Sequence, residues 1–367
     1  MSLLHICCNL AGSTVFAQLF EALRAEGLEQ IVFVPEKRTG SMGKNLPEGV
    51  ETHYRLTVKK SDALFFFRKA QRSVPEIEKT VDMSKVSLIH AHTLFTDGSI
   101  AYALHKRYGI PYVVTLRYSD IEAIWKYEPH LRPMGRRIMR HAAKVVFLSE
   151  SARSKVLWQC VCSKERADMA QKTAIIPNGI RPEWLTGTPR DALPDPVRVG
   201  FAGVLSERKR PLDALCAVHK ANQLGAGRRF ILRACGKGAL EAQLTAGMQE
   251  EDVFVGRVEG MEAMKQFYAG CDVLLVPSTA ETFGMVYLEA MSQGVPVLYT
   301  KGQGFDGQFP QGEVGFAVVC GDTDDQAKRL IEITDGYTQR SARCLNYAKR
   351  YAWPLVAAKW KALYQSI

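Results

Sequence analysis

The chain has 367 residues, of which 47% are apolar and 23% charged, which suggests two globular domains and excludes fibrous and disordered classes. It has no run of about eighteen apolar residues, and its start, MSLLHICCNLAG, has no basic region. Neither a membrane span nor a secretory signal is therefore predicted, and a cytoplasmic protein is expected. Nine cysteines without a CxxC pair argue against a disulfide framework or a zinc site, and most are expected to be buried.

The excess positive charge lies in the first half of the chain. Residues 1–180 contain 26 Lys and Arg against 17 Asp and Glu, whereas residues 181–367 contain 22 against 21. The first half is therefore expected to meet an anionic partner. Nucleic acid, an anionic membrane surface and phosphorylated substrates are the candidates.

Short apolar runs alternate with helix-like segments along the whole chain. In the first half the predicted strands are LLHICCNL, QIVFVPE, SLIHAH, PYVVTLR and KVVFLS, with helical patterns such as TVFAQLFEALRAEG and SIAYALHKRYG between them. In the second half they are VRVGFAG, RRFILRACG, DVFVG, DVLLVP and PVLYT. This alternation predicts an α/β fold with two Rossmann-like, doubly wound domains.

A proline-rich stretch separates the two predicted domains. IRPEWLTGTPRDALPDP has four prolines and no clear periodicity, which is typical of a linker. The predicted organisation is a domain over 1–180, a linker over 181–197, a second domain over 198–345 and a C-terminal helix over 346–367 that crosses back to the first domain. Ligands of such folds bind beyond the carboxyl ends of the strands, so two facing domains should enclose a cleft.

A basic turn follows the strand VRVGFAG. In VLSERKRPLDAL, Pro211 is placed to begin a helix and is preceded by Arg208, Lys209 and Arg210. Three cations at a helix start oppose the helix dipole unless an anion binds there. The alternative is a solvated basic turn. The GKG that follows RRFILRACG is weaker evidence, because a lone GxG is as often simple turn chemistry.

Two glutamates stand in PSTAETFGMVYLEA, residues 277–290. The pattern predicts a buried helix over 283–291, whose first backbone N–H groups can hold a phosphate. Glu281 would lie at the helix mouth and Glu289 about 12 Å along it if the whole segment were helical. That distance is too long for a proton-sharing pair or a single metal ion and suits the two ends of an extended ligand. The alternative is a favourable charge at a helix start with an exposed helical glutamate.

Together these motifs resemble a known family. GVLSERK with PSTAETFGMVYLEAMSQGVPV is similar to the donor-binding domain of family 4 (group 1) retaining glycosyltransferases, which have the two-Rossmann GT-B fold. The likeness extends to IIPNGI, FVGRV, CDVLLVPS and the final YAWPLVAAKWKALY. It covers essentially the whole chain and is stronger from Lys172 onward.

The resemblance implies a role for each residue of the predicted site. Glu281 would face the hydroxyl groups of the donor sugar, Glu289 would accept a hydrogen bond from the ribose, and Lys209 with Arg208 would hold the diphosphate. Backbone amides at the helix start would hold sugar and diphosphate, Val258 would lie against the base, and the first loop would lie near the phosphates and the acceptor. The implied donor-binding set is Gly12, Ser13, Gly203, Val258, Phe283, Gly284, Met285, Val286 and Glu289.

No metal ion and no cofactor are expected, since the nucleotide sugar is itself a substrate. Breaking a sugar–phosphate bond leaves charge on the diphosphate, which Lys209, Arg208 and helix-start amides can stabilise. Asp322 and Asp324 form the D-x-D sequence that metal-dependent sugar transferases of another fold use. Because they directly precede AKRLIEI, they are expected to cap a helix instead.

One position departs from the family pattern. Many members have a histidine after the strand read here as PYVVTL, close to the donor sugar, where this chain has Arg117. Arg117 is included in the predicted catalytic set, and the hypothesis is that it meets an acidic group on donor or acceptor. The alternative is a salt bridge with Asp120. His90 and His92, at the end of SLIHAH, are interpreted as structural histidines.

Two basic segments of the first half are candidates for an anionic membrane surface. KKSDALFFFRKAQR, residues 59–72, contains Phe65, Phe66 and Phe67, and RPMGRRIMRHAAK contains four arginines. Basic helices with an apolar face can lie on an anionic leaflet, which would place the protein peripherally at the inner face of the plasma membrane. Ordinary amphipathic helices packed on the sheet are the alternative.

The sequence therefore predicts a hexosyltransferase-type enzyme that moves a sugar from a nucleotide-diphosphate sugar, with UDP favoured, to a glycan or lipid-linked acceptor. Cell-surface polysaccharide or glycolipid biosynthesis is the implied role. A nucleotide-sugar epimerase or a non-catalytic nucleotide-sugar-binding protein of the same fold is the alternative. Nucleic-acid binding is not favoured, because no recognition motif is found and the glutamate pair would be unexplained.

Overall fold

The computed structural model describes residues 2–59, 62, 66–117, 119–225 and 227–367. The chain forms two compact units, a first unit of Met1–Gly179 with Trp353–Ile367 and a second unit of Ile180–Ala352. The predicted linker over 181–197 contains a 3-10 turn at Pro182–Trp184, and the predicted domain boundaries remain predictions.

The first unit contains a seven-stranded parallel sheet. Its strands are β1 (Ser2–Ile6), β2 (Glu29–Glu36), β3 (Glu51–Leu56), β4 (Val86–Ala91), β5 (Tyr112–Thr115), β6 (Lys144–Phe147) and β7 (Thr173–Ile175). Its helices are α1 (Thr14–Ala25), α2 (Arg68–Thr80), α3 (Thr96–Tyr108), α4 (Arg132–His141), α5 (Glu150–Gln159), α6 (Arg166–Gln171) and α13 (Trp353–Gln365). The strand order β3-β2-β1-β4-β5-β6-β7 reverses between β1 and β4, which is where ligands bind in such sheets.

Each face of this sheet packs into its own apolar core. Leu4 and Ile89 enter a core formed with α2, α3 and α4, whereas Leu3 and Leu88 enter a core formed with α1 and α13. Successive residues of a strand point to opposite faces, so a strand covered on both sides is apolar throughout. This explains why β1 and β4 read as continuous apolar runs.

The second unit contains a six-stranded parallel sheet. Its strands are β8 (Val197–Ala202), β9 (Phe230–Cys235), β10 (Val253–Gly256), β11 (Val273–Val276), β12 (Val297–Thr300) and β13 (Gly315–Val318). Its helices are α7 (Pro211–Gln223), α8 (Glu241–Gly247), α9 (Met261–Ala269), α10 (Met285–Ser292), α11 (Thr323–Glu332) and α12 (Tyr337–Lys349). The order β10-β9-β8-β11-β12-β13 reverses between β8 and β11. The predicted α/β fold class with two doubly wound units is confirmed.

The C-terminal segment predicted as one helix over 346–367 is two helices. α12 ends at Lys349 and α13 begins at Trp353. Pro354 explains the break, because a proline inside a continuous helix lacks the amide hydrogen and clashes with the preceding turn, whereas in a first turn it is tolerated. Trp353 Nε1 donates to Gln18 Oε1 on α1 at 2.8 Å.

The two basic segments form helices of the first unit. α2 and α4 both bury apolar side chains, such as Val74 and Ile138, against the sheet. Lys60 and Phe65 of the first segment lie outside the described residues. In the part of the chain that is described, no helix combines the length and the apolar run that a bilayer crossing requires.

Candidate functional site

Two loops of the second unit, one after β8 and one after β11, meet where the strand order of its sheet reverses. Thr279 N–H donates to the Arg208 carbonyl oxygen at 2.8 Å, which ties the loops together. Lys209 Nζ donates to Glu281 Oε1, and the two side chains are only 11% and 10% exposed. Lys209, predicted to bind the diphosphate, and Glu281, predicted to bind the sugar, therefore form one largely buried ion pair in the structure.

Several further bonds fix this pair. Ser278 Oγ donates to Glu281 Oε1 at 3.2 Å, and the Glu281 backbone N–H donates to Gln303 Oε1 at 3.2 Å. Arg208 Nη1 donates to the Ala280 carbonyl oxygen at 3.0 Å. An ammonium group has three hydrogens, so Lys209 can keep Glu281 and still donate to a phosphate.

Arg210, the third cation of the basic turn, is directed elsewhere. Its guanidinium pairs with Asp213 in the first turn of α7, which begins at Pro211 as predicted. Arg210 also has a positive φ of 54°, a left-handed conformation that is uncommon outside glycine. Such strain next to Lys209 is typical of functional loops.

The helix predicted over 283–291 begins two residues later, at Met285, and ends at Ser292. Gly284 precedes it with φ of 84°, and a Cβ there would lie 2.4 Å from the Tyr287 ring. The Phe283 side chain is 1% exposed and packs in the core, so only its backbone can contact a ligand. At the start of α10, the backbone N–H groups of Met285 and Val286 have no hydrogen-bond partner among the described residues, and such groups favour an anion.

A pocket of about 510 Å³ lies at the carboxyl ends of β8, β9 and β10, within the size range of small-molecule sites. Four residues of the predicted donor set line it: Gly203, Val258, Val286 and Glu289. Gly203 also lies against Lys209, because a Cβ built there would be 3.9 Å from the lysine side chain. The pocket and the ion pair therefore adjoin each other.

Seven further residues line the pocket outside the predicted donor set, among them Lys237, Arg257 and Met264. Lys237 belongs to the GKG turn, which by sequence alone was only weak evidence. Arg257 follows β10 directly and Lys237 lies two residues after the end of β9, so their position after a strand was the available signal. Met264 lies on α9, where its apolar pattern gives no hint of a ligand.

Glu289 lies in a different environment from Glu281. Its Oε2 accepts a hydrogen bond from Tyr268 Oη at 3.0 Å. Burial raises the pKa of Glu289 from its usual value of 4.5 to about 6, so it remains ionised at neutral pH. A carboxylate has about four acceptor positions, and it can therefore bind a ligand hydroxyl as well as Tyr268.

The remaining predicted residues belong to the first unit, at the carboxyl end of its sheet. Gly12 ends a short 3-10 turn over Leu10–Gly12. Ser13 caps α1, its Oγ accepting from the Val15 N–H at 3.4 Å. The Ser13 hydroxyl therefore already has a structural role as the N-cap of α1.

Arg117 follows β5 and is fixed by several contacts. Its guanidinium donates through Nη1 to Asn178 Oδ1 at 3.1 Å and through Nε to the His92 carbonyl oxygen at 3.4 Å. It also lies 4.7 Å from the centre of the Phe16 ring. Asp120 accepts a hydrogen bond from the backbone N–H of Arg117 at 2.8 Å. The predicted alternative, a salt bridge between Asp120 and the Arg117 guanidinium, is not the contact that forms. Burial lowers the pKa of Arg117, although nearby acidic groups oppose that effect.

Three fully buried histidines, His5, His90 and His92, cluster beside this site on the face covered by α1 and α13. His90 bonds to Tyr364 Oη at 2.7 Å and to Thr115 Oγ1 at 2.8 Å, as expected for a structural histidine. Its ring lies 3.9 Å from that of His92 with a tilt of 36°. Both ring nitrogens of His90 have hydrogen-bond partners, and His5 Nδ1 lies 3.1 Å from His92 Nε2 in a further hydrogen bond, so these nitrogens bind one another and their neighbours. Burial lowers the pKa of His5 to about 3.

Asp322 of GDTDD caps a helix, as predicted, whereas Asp324 lies in the first turn of that helix. Asp322 Oδ1 accepts from the backbone N–H groups of Asp324 and Asp325 at 3.1 and 2.9 Å, at the start of α11. Asp324 Oδ1 accepts from Lys220 Nζ at 2.8 Å. Both D-x-D residues therefore have structural partners.

Comparison with known families agrees with this fold. A family model described as "Glycosyl transferases group 1" matches residues 190–351, and one described as "Glycosyltransferase Family 4" matches residues 12–184. Together they span most of the chain, from the first loop to the end of α12. The fold is thus that of the GT-B class of sugar transferases.

The chain belongs to the group 1, family 4 glycosyltransferases, as its motifs predict. It is 28% identical over 296 residues to the D-inositol 3-phosphate glycosyltransferase of Stackebrandtia nassauensis, covering 72% of this chain and 65% of that protein. It is 27% identical over 372 residues to the phosphatidyl-myo-inositol mannosyltransferase of Mycobacterium leprae, covering 95% of this chain and 91% of that protein. A solved structure of Anabaena Alr3699/HepE in complex with UDP and glucose superposes with a TM-score of 0.69 at 18% identity, covering 100% of both chains.

Proposed function

We propose that this protein transfers a sugar from a nucleoside-diphosphate sugar, with a UDP-sugar favoured, to a glycan or lipid-linked acceptor. The observation that carries the proposal is the buried Lys209–Glu281 pair beside a pocket that contains Glu289, at the switch point of the second unit. The pocket receives the nucleoside, the helix start receives the diphosphate, and Glu281 receives the sugar. The solved structure of Anabaena Alr3699/HepE, which has a similar fold and contains UDP and glucose, supports the choice of donor.

The chemistry follows from where charge develops. When the bond between the sugar C1 and the diphosphate breaks, negative charge builds on the leaving phosphate oxygens. Lys209, Arg208 and the amides of Met285 and Val286 offset that charge more in the transition state than in the ground state. These groups supply the positive charge without a metal ion. The acceptor hydroxyl oxygen bonds to C1 on the face that the diphosphate has left, and its proton passes to the departing phosphate oxygen, so the anomeric configuration is retained.

The proposed acceptor is a glycan or a lipid-linked sugar of cell-surface polysaccharide or glycolipid assembly. A relative named as a phosphatidyl-myo-inositol mannosyltransferase supports the lipid class. The positive charge of the first half supports peripheral attachment to the anionic inner face of the plasma membrane from the cytoplasm.

Thermal-shift screening against UDP, GDP and ADP sugars tests the donor. A ligand at one hundred times its dissociation constant adds about 2.7 kcal/mol to the folded state, which is readily measured. NMR of donor turnover then separates the candidate activities. Release of UDP with a sugar product of unchanged anomeric configuration supports a retaining transferase. A new free nucleotide sugar indicates an epimerase, and binding without turnover indicates a sensor; either result contradicts the proposal.

Arg117 is proposed to contact an acidic group on donor or acceptor. We expect Arg117→His to lower activity on an acidic substrate by about tenfold or more, because a charge-assisted forked bond is lost. The measurement compares kcat/KM for a uronic acid or phosphorylated substrate with that for its neutral analogue. Full activity on a neutral substrate, with no greater loss on the acidic one, would remove this role.

A further inference from the structure

A polar pocket of about 370 Å³ lies in the first unit, apart from the proposed donor site. Its walls come from Ser119–Trp125, a π-helical segment that follows β5, from the first residue of α4 and from α5. We call it the α5 pocket. π-Helical turns are rare and occur often at functional sites, and the volume is within the range of small-molecule sites. Arg117 lies in the same connection after β5, two residues before the π-helical segment.

The lining of the α5 pocket is positively charged. It contains three cations, Lys126, Arg132 and Lys155, and one acid, Glu122. Lys155 Nζ donates to Glu122, and both side chains are partly exposed. An ammonium group has three hydrogens, so Lys155 can keep this bond and still donate to a ligand. Three cations against one acid leave an excess of two positive charges, which favours an anion.

The Arg132 guanidinium is held in place by the backbone around it. Its Nε donates to the Trp125 carbonyl oxygen at 2.9 Å, and its Nη2 donates to the Lys126 carbonyl oxygen at 3.4 Å. These bonds use two of the five N–H groups of the guanidinium, so the group can still donate to a ligand. A cation that is fixed before the ligand arrives loses little side-chain entropy on binding, which favours a forked contact with a carboxylate or a phosphate.

Two exposed aromatic rings lie beside the lining residues. Trp158 is 69% exposed and Tyr127, next in sequence to a lining residue, is 71% exposed. Trp158 lies three residues after Lys155 and one before Gln159, so it shares the side of α5 that lines the pocket. The Arg166 guanidinium covers one face of the Trp158 ring at 4.0 Å. The other face is therefore open to a ligand.

We infer that the α5 pocket binds an acidic sugar residue of the acceptor glycan, with its carboxylate or phosphate on Arg132 and Lys155 and a neighbouring sugar ring on Trp158. Guanidinium and ammonium groups bind both kinds of anion through charge-assisted hydrogen bonds. The C–H face of a sugar ring is apolar and packs on the face of an aromatic ring, which carries partial negative charge. The inference names the acceptor class within the proposed function and rests on it.

An acidic peptide is another ligand that the cations admit, and the shape of the site favours the glycan. The α5 pocket has the volume of a small-molecule site, whereas a peptide or protein partner spreads its contacts over a larger surface. An exposed tryptophan with one open face also suits a sugar ring better than an acidic side chain.

Calorimetry with defined oligosaccharides tests the ligand. The whole chain is titrated, without nucleotide sugar, with tetragalacturonate, with a mannotetraose that carries one 6-phosphate, and with neutral maltotetraose. We expect an acidic oligosaccharide to bind about tenfold more tightly than maltotetraose, and the better acidic probe identifies carboxylate or phosphate as the anion. Affinity should fall as the salt concentration rises, because exposed charges are screened. Equal affinity for maltotetraose, no binding of either acidic probe, or equal binding of a polyglutamate peptide would overturn the inference.

Three substitutions place the binding at the α5 pocket. Glu122→Gln removes the acid of the lining and frees Lys155, so it should tighten binding of the acidic probe by about threefold. Lys126→Gln removes an exposed cation and should weaken binding by about threefold. Trp158→Ala should weaken it by about tenfold, because a large aromatic contact is lost.

Matched controls and the direction of each change decide the outcome. Lys328→Gln and Leu224→Ala remove a charge and an apolar side chain at exposed positions of the second unit and should leave the affinity unchanged. Tighter binding by Glu122→Gln cannot result from misfolding, so this variant carries the test if Trp158→Ala folds poorly, as judged by circular dichroism. If Glu122→Gln and Lys126→Gln both bind like the wild type, the glycan binds elsewhere and the inference is wrong. The titrations contain no donor, so their failure leaves donor turnover, measured without glycan, as a separate result.

Discussion

Lys209 and Glu281 neutralise each other in the structure, so each single substitution should have a distinct effect. Glu281→Gln frees Lys209 for the diphosphate, and we expect UDP affinity to be kept or increased while transfer falls by about 100-fold. Lys209→Met leaves a buried carboxylate unpaired, and we expect weaker UDP binding, lost transfer and a loss of stability on the order of 3 kcal/mol. Calorimetry with UDP, transfer rates and urea unfolding measure the three effects. Equal loss of UDP affinity in both variants would contradict these separate roles.

Glu289 should make stability depend on pH in a defined direction. Its pKa is raised from 4.5 to about 6 by burial, so the folded state holds the proton more tightly than the unfolded chain. The stabilisation is complete below pH 4.5 and is lost as the pH rises to about 6. Glu289→Gln should therefore raise the unfolding free energy at pH 8 by up to about 2 kcal/mol.

The same variant should weaken nucleotide binding, because a neutral amide is a poorer acceptor for the ribose hydroxyl. Thermal melts at pH 4.5 and pH 8, with calorimetry at pH 8, measure both effects. Glu262→Gln on α9, whose side chain is 76% exposed, is the control and should change neither. A variant that melts at the wild-type temperature at pH 8 and binds UDP normally would contradict this role for Glu289.

At the scale of elements, the start of α10 depends on Gly284. Ala at this position would hold a positive φ, at a cost of about 1–2 kcal/mol, and its Cβ would meet the Tyr287 ring at 2.4 Å. Gly302 also has a positive φ, of 75°, but nothing lies within 4 Å of a Cβ there. We expect Gly302→Ala to lose about 1 kcal/mol and Gly284→Ala to lose more and to bind UDP at least tenfold more weakly. Urea unfolding and calorimetry measure this, and matching losses in the two variants would contradict a special requirement at Gly284.

The elements differed in how well the sequence predicted them. Strands covered on both faces, such as β1 and β11, are continuous apolar runs and were predicted. β3 was missed because it is an edge strand, ETHYRL, with only Tyr54 buried. β7 has only three residues, TAI, and none of them is buried. Both strands are held extended by backbone hydrogen bonds to a neighbouring strand, and the local sequence pattern gives no sign of that pairing.

At the scale of the molecule, the pocket and the ion pair that are proposed to bind the donor lie wholly within Ile180–Ala352. We therefore expect a fragment of residues 180–352 to bind UDP within about tenfold of the full chain, that is, within 1.4 kcal/mol. Transfer should be absent, because Arg117 and the first loop are missing. Calorimetry measures the affinity, and the fragment with Lys209→Met is the matched control. A folded fragment that binds no UDP would show that the first unit supplies a necessary contact.

The sequence by itself predicted the fold class and the family correctly, because the alternation of strands and helices and the spacing of motifs are local patterns along the chain. It also predicted that Glu281 and Glu289 serve separate purposes. Only the tertiary structure decided their partners, since the Lys209–Glu281 contact joins residues 72 positions apart and Tyr268 reaches Glu289 from another helix. The same holds for the α5 pocket. Such contacts depend on which strands and helices become neighbours, and that is settled by packing and burial rather than by any single segment.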